Sequence, residues 1–269
     1  MRTLFLMFVL LSSVACAQAD KTASEGEKYY CEPCNGSCDT VAHDKPGICS
    51  HCNMKLVKRS ADEIAQLKLA VQSRPNVAIF IHDGVELLDF AGPGEVFSSS
   101  GFNVYTVAAT EQPIISQGFV KITPQYSIAN CPKPDIIVLP GGATDVPMRN
   151  EDVLRWLKKA IPETTVTLSV CTGAGLLSKT GFLDGKTATT FHNYIDELQR
   201  MTPKAKVVRN TRFVDNGSII TTAGVSAGID GALHVVEKLK GKAAARSSAE
   251  YMEYDKWKPE EGLIVKAGQ

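Results

Sequence analysis

The chain has 269 residues, 44% of them apolar, and its 29 basic side chains equal its 29 acidic ones. That apolar content without net charge excludes global disorder, and neutrality removes any chain-wide electrostatic case for nucleic acid or an anionic membrane as partner. The length suits one large domain, or one domain with a small module attached.

The first segment reads as an export signal. Arg2 gives a positive start, Leu4 to Leu11 an apolar run, and Ala17 and Ala19 the small residues of a cleavage site before Asp20. The run is too short to span a bilayer, which takes about 20 apolar residues. Residues 1–19 are therefore expected to be a signal peptide, with the mature protein periplasmic or otherwise exported. A lipid anchor at Cys16, giving a membrane-anchored lipoprotein, is the competing expectation; Ser13 stands where a lipobox usually carries Leu.

Five of the eight cysteines, Cys31, Cys34, Cys38, Cys49 and Cys52, fall within 22 residues. Cys31-x2-Cys34 and Cys49-x2-Cys52 repeat the spacing that lets two sulfurs face one ion across a tight turn. Those four are the expected ligands of a zinc or copper ion, with His43, His51, Cys38 and Met54 close by. In an exported protein a disulfide knot is the alternative. Residues 29–57, above all Asp44-Lys45-Pro46-Gly47-Ile48-Cys49-Ser50-His51-Cys52-Asn53-Met54, resemble the heavy-metal-binding domain found beside copper-transport proteins. That family carries Cys-Pro-Met-His in its first half; here Glu32-Pro33-Cys34 follows Cys31 instead.

Residues 58–75 are expected to be a helical linker. Ser60 and Glu63 form a capping box, Ile64, Leu67 and Val71 keep helical spacing, and Arg74-Pro75 ends the helix. From residue 76 short apolar runs at 77–81, 104–107, 136–139, 166–170 and 219–220 alternate with helical stretches at 151–160, 173–179, 193–201 and 226–239. This alternation indicates a parallel sheet covered by helices on both faces. In such a sheet chemistry belongs in the turns after strand carboxyl ends.

Three turns carry informative residues. Gly141-Gly142 follows the strand at 136–139 and is either a tight turn or a place where backbone N–H groups approach a ligand. Cys171 sits where a strand meets a helix start, with small Gly173 and Ala174 after it. That is the setting of a nucleophile elbow, where a helix N-terminus is expected to lower the thiol pKa. Asp89, among apolar Leu87, Leu88, Phe90 and Ala91, is either a helix cap or a buried carboxyl able to move protons.

Together with Leu183-Asp184-Gly185-Lys186-Thr187, Asp215-Asn216-Gly217 and Ala223-Gly224-Val225-Ser226-Ala227, these turns resemble the ThiJ/PfpI superfamily over residues 76–258. The groups most alike are the isonitrile hydratases and the ligand domain of AraC-type regulators. The resemblance implies a class I glutamine amidotransferase-like fold, a flavodoxin-like parallel sheet sandwiched by helices, and a homodimer. It implies Cys171 as nucleophile, Asp89 as the acid at the sulfur, and the N–H groups of Thr172 and Gly142 as holders of an anionic intermediate. Thr172 stands where many members carry His, which argues against a peptidase. His192 is expected to be a pocket residue, Asp230 a structural one, and Cys131 inert.

Three functions follow as expectations. The first is a cysteine-dependent lyase of isonitrile hydratase type, with a small-molecule substrate and no cofactor in the catalytic domain. The second is a metal-binding or redox-sensing protein without turnover. The third is a regulator-like ligand domain, disfavoured by export and by the lack of a helix-turn-helix unit in the 29 residues after Lys240.

Overall fold

The computed structural model describes residues 28–32 and 37–266; the expected export signal, Cys16 and Cys34 lie outside them. The N-terminal module is a pair of antiparallel strands, β1 (Tyr29–Cys31) and β2 (Leu56–Lys58), with a 3-10 turn at Ser37–Thr40 packed on β1. Cys31, Cys38, Cys49 and Leu56 make its small core. Asn53, at φ 58, closes the second cysteine turn by donating its N–H to the Cys49 carbonyl.

Helix α1 (Ala61–Gln72) starts at Ser60, whose hydroxyl accepts from the Glu63 N–H while the Glu63 carboxylate accepts from the Ser60 N–H. Only Ile64 of α1 is buried. The helix leads to Arg74, which is ion-paired to buried Asp39 of the module.

The main domain follows as β3 (Asn76–Phe80), α2 (Leu87–Ser99), β4 (Asn103–Ala108), the hairpin β5 (Ile114–Ser116) and β6 (Val120–Ile122), and β7 (Tyr126–Ser127). Next come β8 (Ile136–Leu139), α3 (Glu151–Ala160), β9 (Val166–Ser169), α4 (Ala174–Thr180), β10 (Thr187–Ala188), α5 (Ile195–Met201) and β11 (Lys206–Val207). The chain closes with β12 (Phe213–Asp215), β13 (Ile219–Thr222), α6 (Ala227–Lys240), α7 (Lys242–Tyr251) and β14 (Gly262–Ile264). Eight strands form one sheet in the order β14-β12-β13-β9-β8-β3-β4-β7. Residues of β3, β8 and β9 are buried on both faces, and two apolar clusters fill the layers between sheet and helices. Each fully buried Phe80, Phe97 or Phe213 side chain contributes about 1.5–3 kcal/mol.

Several expectations change. The sheet is mixed, because β12 runs antiparallel to β13. The two are joined by a tight hairpin in which Gly217 has φ 91. The sheet also gains β14, beyond the expected end at residue 258. The stretch from Leu87, read as a turn, is the first turn of α2, and the helix continues through Pro93.

At the β12 end, Asp215 is buried and accepts from His234 Nε2 at 2.8 Å and from Lys238 Nζ at 2.9 Å and 3.0 Å. Burial alone would raise this carboxyl, but His234, Lys238 and the Gly217 N–H overcome it and hold it at about 2. A pKa below the ordinary value of about 3.9 gives stabilisation that is complete above about pH 4 and lost as pH falls toward 2. Asp215→Asn is expected to lower stability at neutral pH by about 3 kcal/mol, as breaking a buried ion pair does. It should also flatten the drop in thermal midpoint between about pH 4 and pH 2; an unchanged acid limb would refute this assignment.

Candidate functional site

Between the end of β9 at Ser169 and the start of α4 at Ala174 the chain must reverse sharply. Cys171 absorbs the reversal with φ 57, a left-handed conformation that costs a cysteine on the order of 1–3 kcal/mol. The neighbours enforce it. The Cys171 N–H donates to the Ala223 carbonyl, and the Cys171 carbonyl accepts from the Thr190 hydroxyl. Gly173 is obligatory, since a Cβ there would sit 1.9 Å from the Leu139 carbonyl oxygen. A Cβ on Gly141 would meet the Thr172 nitrogen at 2.6 Å and the Cys171 Cβ at 2.8 Å. The Gly-Gly turn after β8 is thus the floor on which the cysteine rests.

Asp89, fully buried in the first turn of α2, is not the helix cap; Glu86 stands at that position. Its Oδ2 accepts from the Gly141 N–H at 2.9 Å and its Oδ1 from the Val225 N–H at 3.0 Å. The Cys171 thiol lies near enough for the carboxyl's charge to act on the sulfur. Burial pushes Asp89 up to about 7, against the pull of Gly141, Val225 and the thiol, with Glu86 adding to the rise.

The expected depressed thiol is overturned. Burial, then the negative charge of Asp89, pushes Cys171 up to about 12, and the Thr172 N–H directed at the sulfur recovers only part. The helix behind the sulfur, α4, has only seven residues and opens through a 3-10 turn, so its dipole offers little against that desolvation. The resting sulfur is therefore a thiol beside the buried carboxyl, rather than a thiolate.

Gly142 and Thr172 are brought together, but their donors are engaged. The Gly142 N–H donates to Thr172 Oγ1 at 3.0 Å, and that hydroxyl lies 3.1 Å from the Gly142 carbonyl. Asp230 lies apart from the sulfur, accepting from Arg212 and, at 3.0 Å, from the Tyr254 hydroxyl. Cys131 is half-buried beside Trp156. Val225 was not foreseen; it holds φ 55, rare for a β-branched residue, and this turns its N–H onto Asp89.

In the N-terminal module, ligand atoms of Cys31, Cys38, Cys49 and Cys52 lie within 4.8 Å of one another. Four thiolates at about 2.3 Å from one tetrahedral ion stand about 3.8 Å apart, so the donor set fits a soft cation. The Cys31 and Cys52 sulfurs are 2.9 Å apart. Burial and the neighbouring thiols push Cys31 up, while the hydrogen bond from Cys31 draws Cys52 down to about 6. Among the described residues the fourth member is Cys38, carried in by the Ser37–Thr40 turn; the expected ligand Cys34 lies outside them.

Residues 75–238 match the DJ-1/PfpI family, and residues 28–59 match the heavy metal binding domain. The chain belongs to the DJ-1/PfpI family. Isonitrile hydratase of Pseudomonas putida is 31% identical over 183 residues, 66% of this DJ-1/PfpI chain and 78% of that protein. The HTH-type transcriptional regulator CdhR of Pseudomonas aeruginosa is 25% identical over 55% of this chain and 44% of its own length. A ThiJ/PfpI family protein from Pseudomonas syringae superposes with TM-score 0.64 at 27% identity, covering 73% of this chain and 80% of that one. Drosophila melanogaster DJ-1beta, at 22% identity and TM-score 0.62, shares the fold.

Two outcomes follow from the geometry. The rate of Cys171 alkylation by iodoacetamide should rise through about pH 7 as Asp89 ionises, and Asp89→Asn should remove that step while leaving only the rise at high pH; mass mapping of the labelled cysteine measures it. The N-terminal module should bind one soft cation per chain, and Cys38→Ser should weaken it at least 10-fold in competition with a chromogenic chelator. Unaltered affinity would remove Cys38 from the ligand set.

Proposed function

We propose that this DJ-1/PfpI protein is an exported, cysteine-dependent lyase that hydrates a small electrophile of the isonitrile class. The observation that carries the reading is Cys171 held in a left-handed elbow turn against the Gly141 floor, with the buried Asp89 carboxylate tied to that same floor. The likeness to isonitrile hydratase supports the reaction class. The signal-like first 19 residues support export to the periplasm, or anchoring there through Cys16.

The chemistry balances with these groups. Asp89 takes the thiol proton as Sγ attacks the terminal carbon of R–N≡C. The proton passes to that carbon, giving the thioimidate R–N=CH–S. Water adds across C=N to give the tetrahedral adduct; for Gly142 to hold that adduct its N–H would have to leave Thr172 Oγ1. The adduct's hydroxyl proton returns through Asp89 to sulfur as the C–S bond breaks, releasing R–NH–CHO. General acid–base work of this kind is worth about 10²–10⁴-fold.

The N-terminal module would hold zinc or copper(I) through its thiolates, where the ion would bind sulfur and fold the module rather than join the reaction. A simple alkyl isonitrile incubated with the mature protein should yield its formamide, followed by mass spectrometry. Cys171→Ser should abolish turnover and Asp89→Asn reduce it at least 100-fold. Formamide production by Cys171→Ser at the wild-type rate would exclude the mechanism.

A further inference from the structure

We propose that Arg74, which lies outside the metal-binding module, is a positioning residue of its cation site. Arg74 holds Asp39, and through Asp39 the turn that presents Cys38. The inference rests on the soft-cation reading of the cysteine cluster, and it adds a residue that joins that site to the main domain. Arg74 falls between the two matched stretches, one ending at residue 59 and the other beginning at residue 75, so neither family pattern assigns it a role.

Cys38 and Asp39 are consecutive in the 3-10 turn Ser37–Thr40, which the Val41 N–H closes by donating to the Cys38 carbonyl. At about three residues per turn, neighbouring side chains leave such a turn about 120° apart. Cys38 therefore faces the thiols of Cys31, Cys49 and Cys52, while Asp39 leaves by another side, toward Arg74. Two anchors on different sides fix the rotation of the turn. One alone would let it roll and carry the Cys38 sulfur away from the other three.

The second anchor is buried. The Asp39 side chain is fully buried, and Arg74 Nη2 reaches its Oδ2 at 3.4 Å with the arginine side chain itself 15% exposed. A buried carboxylate that loses its cation partner is strongly destabilised, and moving Asp39 toward water moves the turn that holds Cys38. Arg74 is in turn fixed to the main domain. Its N–H donates to the Val71 carbonyl at the end of α1, and the Pro75 carbonyl after it accepts from the Asn103 N–H. Asn76 then opens β3 with its N–H on the Asp135 carboxylate at 2.8 Å. The cation site of the small module is thus braced from the first strand of the large domain. Linkage makes the brace reciprocal: a cation that fixes Cys38 tightens the Asp39–Arg74 contact by the same factor.

The test measures the zinc(II) affinity of the reduced mature chain in competition with a chromogenic chelator. Arg74→Gln should weaken zinc about 10-fold, at the lower end of what partners behind a metal ligand are worth. Arg74→Lys should recover part of the loss. In a Cys38→Ser background Arg74→Gln should cost nothing more, because it acts through Cys38. A general loosening of the module would instead weaken zinc in both backgrounds alike. Loaded with cobalt(II), the Arg74→Gln chain should lose part of the sulfur-to-metal charge-transfer absorption of the wild type, as a displaced thiolate requires.

Wild-type zinc affinity in a folded Arg74→Gln chain, or an equal loss in the Cys38→Ser background, would overturn the brace. If Arg74→Gln does not fold, as its thermal midpoint will show, Asp39→Asn decides by the same affinities and spectra. A wild-type chain that binds neither zinc nor cobalt would sink the soft-cation reading and the brace with it. Zinc held equally by wild type and Arg74→Gln would remove the brace and leave that reading standing.

Discussion

One buried carboxylate organises the cysteine-bearing end of the sheet. Asp89 accepts from Gly141 in the turn after β8 and from Val225 in the turn between β13 and α6, and it meets the Cys171 thiol in the turn after β9. Three loops that leave different strands are thus tied to the first turn of α2. Desolvation favours the neutral acid, and two backbone donors favour the charged one. The opposition leaves the group near neutral pH, where it can both take and return a proton. A carboxylate lacking those N–H partners would stay protonated and could not act as a base; one in solvent would be too weak a base to take a thiol proton.

The strain at this end has the same origin. Cys171 and Val225 both hold left-handed backbone conformations that their side chains disfavour. Each is fixed by a hydrogen bond to another loop, Cys171 through its N–H to Ala223 and Val225 through its N–H to Asp89. The cost is met by the rigid packing of α6 on β13 and α2, where Gly228 and Gly231 let the helix approach Val170 and Thr222 so closely that a Cβ would collide. Such strain persists only where the surroundings over-determine it.

How far the sequence speaks depends on whether the signal is local. The apolar runs and the Ser60/Glu63 box specify strands and a helix start by periodicity and capping alone, and those elements stand close to where the residues place them. The Asn216-Gly217 pair is a local hairpin signal, whereas the apolar runs around it read equally well as parallel strands; the turn decides, and β12 reverses. Asp89 as cap or buried acid was ambiguous because the decision lies with Gly141 and Val225, 52 and 136 residues away. The thiol's proton affinity is hidden from the sequence for a related reason. A helix start after a cysteine is visible in the sequence, but desolvation is a property of the packed fold. Cys38 was passed over because C-x-x-C spacing draws the eye to the other cysteines, while the turn at Ser37–Thr40 is what carries Cys38 to Cys31.

The topology also sets how the two halves can work together. Cys171 lies past the carboxyl end of β9, a strand in parallel register with β8 and, through it, with β3. The metal module joins at the other end, since α1 delivers the chain through Arg74 to the amino end of β3, and Arg74 is paired with Asp39, the neighbour of Cys38. A five-residue strand at about 3.3 Å per residue puts about 13 Å of sheet between the two ends. An ion held by the cysteine cluster is therefore remote from the Cys171 sulfur of the same chain. Any influence of the module on Cys171 has to pass along β3 to the Asp89 end, and the single buried side chain of α1 gives it little mechanical hold on the sheet. The arrangement favours two separate sites on one chain, a thiol cluster suited to a soft cation at one end and a buried cysteine–carboxyl pair at the other.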